Sequence, residues 1–435
     1  MMRLVCLCLA IMLPLPGFCR DLSLGDAIAV AYVNNSDIKI QQEKIKAADA
    51  GELAAKGNFL PRVNAAATYA RNQSVLSVPA VPPAKKDPGI FSGYREDNRL
   101  GISLSAPVYS GGANTAGLRQ AQTQTAIQRQ NLRARKSAVA LETKRLYYGL
   151  LLAGQTRRIA AKLVGLAKAH YSQARKKYRQ GTVSRFDVLQ AGVQVAKLIP
   201  EMVRADNALE LTSAELKKLL GLDLDEDIVL TDKLEVFPIK IDEKAFLKRA
   251  YLNNPRMSLR SLGVDLGQWS IALAGSLDKP RLDLGADYSA RSNNTGNIFD
   301  QRHNNWSAGV TISVPIFDAF SSRSRVQEAK SRYRQALIEK DDLGRQIAFQ
   351  VKGACLDLKR AEVVMESQKS SLQLARQAMR IADIGYAGGV NTNLDVLDSQ
   401  VSLSQIEKNM YESMYDYLMA QAFLDDVMGN TDCTE

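Results

Sequence analysis

The sequence predicts an α+β chain built as an internal duplication, each half a β-hairpin followed by two long helices. Three observations predict it. First, one line is written twice: Q-G-T-V-S-R-F-D-V-L-Q-A-G-V-Q-V at residues 180–195 and G-G-V-N-T-N-L-D-V-L-D-S-Q-V-S-L at residues 388–403. Second, upstream of each copy lie two segments that alternate apolar with small or polar residues, the period of a half-exposed strand. Third, no proline interrupts residues 112–179 or 321–386, so each half contains an uninterrupted helical run.

The duplication sets the boundaries. Asp187-Val188-Leu189 aligns with Asp395-Val396-Leu397, and the same offset of 208 aligns Gly101 with Gly309, Pro107 with Pro315, Tyr178 with Tyr386, Gly181 with Gly389 and Gly221 with Gly429. Upstream the offset is 219, pairing Tyr32-Val33-Asn34-Asn35 with Tyr251-Leu252-Asn253-Asn254 and Pro61-Arg62 with Pro280-Arg281. The change of eleven falls between residues 71 and 99, where V-P-A-V-P-P-A-K-K-D-P-G can continue neither strand nor helix.

At the N-terminus, Arg3, the apolar run L-V-C-L-C-L-A-I-M-L, then Pro14, Pro16 and Gly17 read as a secretory signal over residues 1–19, with cleavage after Cys19. Phe18 is too large for the residue before a lipidated cysteine, so lipidation at Cys19 is the lesser expectation. Loss of Arg3 with that segment lowers the formal charge of +11 by one. Cys355 and Cys433 remain and do not form a disulfide framework. The basic residues are scattered along helices rather than gathered in a patch, which argues against nucleic acid as a partner.

Within each half the period changes. Residues 22–57 are rich in alanine and predict one helix. Val63, Ala65, Ala67 and Tyr69 then alternate, followed by Leu100, Ile102, Leu104, Ala106 and Val108. The second half repeats this with Leu282, Leu284, Ala286 and Tyr288, then Ala308, Val310, Ile312, Val314 and Ile316. Each strand is about ten residues, the length a tilted strand needs to cross a bilayer, although a soluble hairpin on a core would alternate in the same way. The long run from Gly112 to Arg179 predicts a helix of roughly 100 Å. Its partner runs from Ser321 to Tyr386, and Gly181 and Gly389 stop the two helices.

The return helices carry heptads: Val188, Val195, Met202, Leu209, Leu216 in one, and Val396, Leu403, Met410, Tyr417, Leu424 in the other. A second set lies three residues on (Ala191, Leu198, Ala205, Thr212, Leu219; Ser399, Ile406, Ser413, Ala420, Val427), which makes a coiled-coil seam. Pro200 should bend the first of these helices. The domains expected are therefore a signal at 1–19, a helix at 20–59, a β-hairpin at 60–110, the first helical pair at 111–221 and a linker with a helix at 222–279. A second hairpin at 280–317, a second helical pair at 318–429 and a tail at 430–435 complete the chain.

Catalytic chemistry finds no support. His170 and His303 have no second histidine or cysteine at ligand spacing, and no metal or cofactor is expected. S-G-G-A-N-T-A-G after Tyr109 lacks the lysine of a phosphate loop and reads as a strand-to-helix turn.

Four strands cannot close a barrel, and an open edge in lipid leaves backbone groups unpaired, so membrane-spanning strands would require oligomerisation. With this in place the chain resembles the TolC-type outer-membrane efflux and secretion channels over essentially its whole mature length. The resemblance rests on L-S-L-G-D-A-I-A-V-A-Y-V-N-N-S, F-L-P-R-V entering the first strand, A-P-V-Y-S-G-G leaving the second, and two copies of Y-x-x-G-x-x-x-x-x-D-V-L. It implies a homotrimer in which four transmembrane strands per protomer give a twelve-stranded barrel, continued by a long periplasmic coiled-coil barrel of helices. It also implies outer-membrane lipid, a periplasmic adaptor and an inner-membrane transporter as partners.

By that resemblance Asp395 and Asp398 project into the periplasmic entrance, six carboxylates per trimer. Helix capping explains Asp187 and Asp395 equally well, but not Asp398, whose counterpart is Gln190. Asp187 and Tyr386 match positions that lock the closed entrance. The basic partner of that lock falls at Asn391, which is not basic, unless Arg185 substitutes. Tyr178, Gly181 and Gly389 mark hairpin tips that meet the adaptor. The rival reading is an exported structural coiled-coil protein with a soluble β-hairpin head.

Overall fold

The computed structural model describes residues 20–71, 77–78, 90–91, 96–292, 296, 298 and 304–430. The signal segment, the proline-rich stretch, His303 and Cys433 lie outside the described residues. Element order is β1 (Arg20–Leu22), α1 (Leu24–Asn34), α2 (Ser36–Gly57), β2 (Arg62–Arg71), β3 (Ser77–Val78), β4 (Ile90–Phe91), β5 (Glu96–Tyr109), α3 (Ala113–Arg179) and α4 (Arg185–Leu220). There follow β6 (Ile228–Leu230), α5 (Glu243–Asn253), α6 (Pro255–Ala274), β7 (Arg281–Ser292), β8 (Asn304–Ser313), α7 (Ser321–Ala387) and α8 (Asn393–Met428). The described residues form two compact units, one within 44–129 and 259–341, the other within 20–43, 130–258 and 342–430.

The first of these units holds an antiparallel four-stranded sheet in the order β2-β5-β7-β8. Its register sorts the side chains by chemistry. Val63, Ala65, Ala67 and Tyr69 share a face with Leu100, Ile102 and Leu104, with Leu282, Leu284, Ala286 and Tyr288, and with Trp306, Ala308, Val310 and Ile312. Asn64, Thr68, Arg99, Ser103, Ser105, Asp283, Asp287, Arg291, Ser307 and Thr311 share the other. The apolar face is uncovered: Trp306 is 74% exposed and Ile312 68%. On that face Tyr69, Tyr288 and Trp306 lie toward one end, and Tyr288 pairs directly with Trp306. On the polar face Asp97 of β5 is buried between two arginines, taking Arg291 Nε at 2.8 Å and Arg99 Nη2 at 2.6 Å. The edges of the sheet are β2 and β8, each ten residues long.

Each strand pair passes into its long helix through a tight turn. Gly111 and Gly112 adopt φ of +64° and +93°, as the strand-to-helix reading of S-G-G requires. The second repeat makes the same turn at the same offset without glycine, with Ala319 at φ +53° and Phe320 at +67°.

The other unit is helical, with a small parallel pairing of β1 with β6. Both long helices have 67 residues and both return helices 36, so the two repeats match in length. The coiled-coil seams fall in the expected register. Ala191, Ala205 and Leu216 of α4 are buried, as are Val396, Ser413, Tyr417, Leu424 and Val427 of α8. Pro200 sits inside α4 without splitting it. Each repeat builds its own core near the far end of its return helix. In one, Leu22, Ala27, Ala31 and Ile38 pack on Val139, Leu146, Tyr147, Leu216 and Leu220. In the other, Ala250 packs on Ile347, Val351, Leu358, Tyr417, Leu424 and Val427.

The helix expected over residues 22–57 is corrected to two, because the chain breaks at Asn35 (φ −59°, ψ 128°). The Asn35 side chain competes with the helix for its backbone: Oδ1 accepts the Asp37 N–H at 2.9 Å and so starts a new helix. The second repeat breaks identically at Asn254, whose Oδ1 accepts the Arg256 N–H at 2.8 Å. The single helix expected in the 222–279 linker is likewise a pair, α5 and α6.

Candidate functional site

The duplicated line quoted at the outset forms the two hairpin tips, and local chemistry dictates their shape. Gly181 (φ +74°) ends α3 and lets the Thr182 N–H reach back to the Lys177 carbonyl at 3.0 Å. Gly389 (φ +78°) does the same for α7, with the Val390 N–H on the Gly385 carbonyl at 2.8 Å. Three residues later each return helix opens on a capping box. The Asp187 N–H donates to Ser184 Oγ at 3.2 Å while the Ser184 N–H donates to Asp187 Oδ2 at 3.0 Å. In the second tip the Asp395 N–H donates to Thr392 Oγ1 at 3.3 Å and the Thr392 N–H to Asp395 Oδ2 at 2.7 Å. The hydroxyl and backbone N–H of Thr392 hold the Asp395 carboxyl below the usual carboxylate range. That contribution is fully present above the unfolded carboxylate pKa and is lost as pH falls through the lowered one.

The two tips then diverge. Tyr178 is 46% exposed, whereas its counterpart Tyr386 is 8% exposed and packs with Met379, Ala382 and Val396. Burial, and secondarily the charge of Asp187, push the Tyr386 hydroxyl pKa up. Around the Tyr386 ring stand two residues of α3, one heptad apart: the Lys177 Nζ at 4.0 Å from the centroid and the His170 ring at 5.2 Å. His170 is itself buried, and its Nε2 is hydrogen-bonded to Asn393 Oδ1 in the first turn of α8. Asn393 Nδ2 is buried without a partner among the described residues.

Among the described residues no hydrogen bond or ion pair joins Asp187, Tyr386 and Asn391 within the protomer, although the Asp187 charge acts on Tyr386. Asn391 folds back on its own hairpin, its amide Nδ2 3.5 Å from the Ile381 and Ala382 carbonyls near the end of α7. Arg185 makes no ion pair among the described residues. Asp398 is exposed and opens, with Gln190, Gln194, Lys197 and Gln405, onto a groove of about 720 Å³ between α4 and α8. So Asp395 is engaged in a cap, while Asp398 has no capping role. The residues sequence reasoning missed are His170, Lys177 and Asn393. The spacing of 170 and 177 was the available signal, but it pointed to a seam only once Ala167 and Ala174 were known to be buried beside them.

Among the described residues no helix is long and apolar enough to cross a membrane, and no group of histidine, cysteine and carboxylate side chains could hold a metal. An exposed two-faced sheet joined by paired long helices defines a class, the outer-membrane channels that extend into the periplasm. The outer membrane efflux protein family model matches residues 27–222 and 246–430, and the chain belongs to that family. Among curated relatives, Protein CyaE of Bordetella pertussis is 25% identical over 385 residues, covering 87% of this chain and 78% of its own. Outer membrane protein TolC of Vibrio cholerae is 22% identical, over 86% of this chain and 83% of its own. Alkaline protease secretion protein AprF of Pseudomonas aeruginosa is 22% identical, over 74% and 68%. Among solved structures, the Campylobacter jejuni CmeC outer membrane channel superposes with a TM-score of 0.80 at 18% identity, covering 93% of this chain and 85% of that one. VceC of Vibrio cholerae gives 0.77 at 16%, covering 93% and 96%. The protein is thus an outer-membrane channel component, and its family is not one of enzymes.

Proposed function

We propose that the chain is the exit duct of a tripartite efflux pump or a type I secretion system, a passive channel gated at its periplasmic entrance. The observation that carries this reading is the sheet. A soluble sheet of four strands covers its apolar face and protects its edges. Here Val63, Trp306, Val310 and Ile312 are all exposed, and both edges are ten residues long. Lipid on the apolar face and neighbouring copies on the edges satisfy both at once. Water in a lumen suits Asn64, Thr68, Ser103, Asp283 and Thr311 on the other face. Three copies close a twelve-stranded barrel, with β8 of one protomer beside β2 of the next, and supply twelve long helices for a periplasmic tunnel. Tyr69, Tyr288 and Trp306 then form an aromatic belt at one lipid boundary. The exported coiled-coil alternative would leave this face in water, and the sheet argues against it.

In the duct the hairpin tips are the periplasmic mouth. Asp398 supplies the carboxylate with no structural task, with Asp395 beside it, and three copies make a ring that attracts cations. Asp187 and Tyr386 form the lock against neighbouring helices, with Asn391 too occupied within its own hairpin to strengthen it. The tips around Tyr178, Gly181 and Gly389 meet the adaptor, which couples the duct to an inner-membrane transporter. Names among the relatives include protease secretion and efflux, and both kinds of cargo fit a passive duct. The test is fractionation without detergent followed by chemical cross-linking. A protein in the outer-membrane fraction that cross-links as a trimer supports the duct. A soluble monomer refutes it.

A further inference from the structure

We infer that His170 and Asn393 form a latch that holds the second hairpin against α3 and so sets how readily the mouth opens. This deepens the gated-duct reading and rests on it. The α3 face behind the second hairpin carries buried Val164, Ala167 and Ala174, an almost wholly small and apolar seam. Two polar side chains interrupt it one heptad apart, His170 and Lys177, and both address Tyr386 of α7. A polar residue within such a seam fixes register at the expense of stability, because its group must find a partner there. His170 finds one in Asn393, the first residue of α8. The contact therefore joins α3 to both helices of the second hairpin at the tip.

The duplication shows that this pairing is specific to one interface. The counterparts of His170 and Asn393 are Ala378 and Arg185, which cannot form it. Asn391, placed where a basic lock residue was expected, is turned into its own hairpin. The latch thus supplies within one protomer a restraint that position 391 does not provide.

The test is conductance of the purified full-length protein in planar bilayers. Asn393→Ala and His170→Ala should each raise open probability by roughly 5- to 30-fold, the effect of losing one buried hydrogen bond. The double variant should add little to either single one, because they share one contact. His170→Gln keeps an N–H that can donate to Asn393 Oδ1, so it should stay as closed as wild type. If wild type conducts and both alanine variants match it in open probability, the latch is overturned while the duct stands. A wild-type protein that never conducts overturns the duct and the latch with it.

Discussion

Asn35 and Asn254 occupy equivalent elbows, 219 residues apart, and each donates its side-chain amide to the end of a return helix. Asn35 Nδ2 meets the Leu219 carbonyl at 3.1 Å, and Asn254 Nδ2 meets the Val427 carbonyl at 2.9 Å. Just beyond those carbonyls Gly221 and Gly429, both at positive φ, pass close to Asn34 and Asn253: a Cβ would be tight against Asn34 at Gly221 and would collide with the Asn253 carbonyl at Gly429. Each asparagine thus starts one helix with its Oδ1 and finishes another with its Nδ2, satisfying groups that helix ends leave orphaned. Replacing either with Ala should cost about 1–2 kcal/mol, the sum of a cap and a buried hydrogen bond being less than additive. Asp, which keeps the cap but loses the donor and faces a carbonyl, should cost more than Ala. Thermal unfolding of the detergent-solubilised protein reads the order.

The turn into the second long helix stores strain that the first does not. Ala319 and Phe320 hold left-handed backbone where the first repeat has Gly111 and Gly112. Ala319→Gly should stabilise by up to about 1 kcal/mol, because the left-handed penalty exceeds the entropy of freeing the unfolded chain. Phe320→Gly should gain nothing, since it discards the edge-on contact with Phe317. Gly111→Ala should destabilise, its Cβ falling 2.8 Å from Lys279 Cβ and 2.9 Å from the Ser276 carbonyl. Chemical denaturation midpoints distinguish all three.

The sheet gives a two-sided test. Ile312→Lys puts a charge on the apolar face and should cost about 2–4 kcal/mol if that face meets the bilayer midplane. Thr311→Lys, one residue away on the polar face, should be tolerated. The readout is the amount of assembled protein in outer-membrane fractions, and equal depletion would contradict the facing.

In the second hairpin Leu403 packs on the Tyr386 cluster while Gln405 is exposed. Leu403→Asp should expose the hairpin to limited proteolysis and Gln405→Asp should not.

Much of this was legible in the sequence, for physical reasons. Period-two alternation and a strict seven-residue repeat are direct consequences of pleat and helix geometry, so the sheet faces and both seams came out in register. The capping boxes were legible because Ser184 and Asp187, like Thr392 and Asp395, satisfy a purely local rule. The elbows were not. Asn35 breaks a helix-forming stretch with its amide anchored on the Leu219 carbonyl, a partner far away in sequence. Nor was the divergence of the tips, since Tyr178 and Tyr386 read alike until His170 and Lys177 are brought against one of them. The pairing of His170 with Asn393 spans 223 residues, and no local pattern encodes it.

Asp398 carries the central claim that the tips are the gated mouth of a channel, because it is the carboxylate that no cap explains. The decisive measurement is single-channel current of the purified protein in a planar bilayer, with a multivalent cation added on the periplasmic side. Wild type should be cation-selective despite the chain's net positive charge and should be blocked. Asp395→Ala combined with Asp398→Ala should relieve the block and lower cation preference, with Asp398→Ala alone giving most of the effect. Asp187→Ala should raise conductance and leave the block intact. A double variant blocked as readily as wild type would contradict the account, leaving both carboxylates as surface residues of helices whose mouth lies elsewhere.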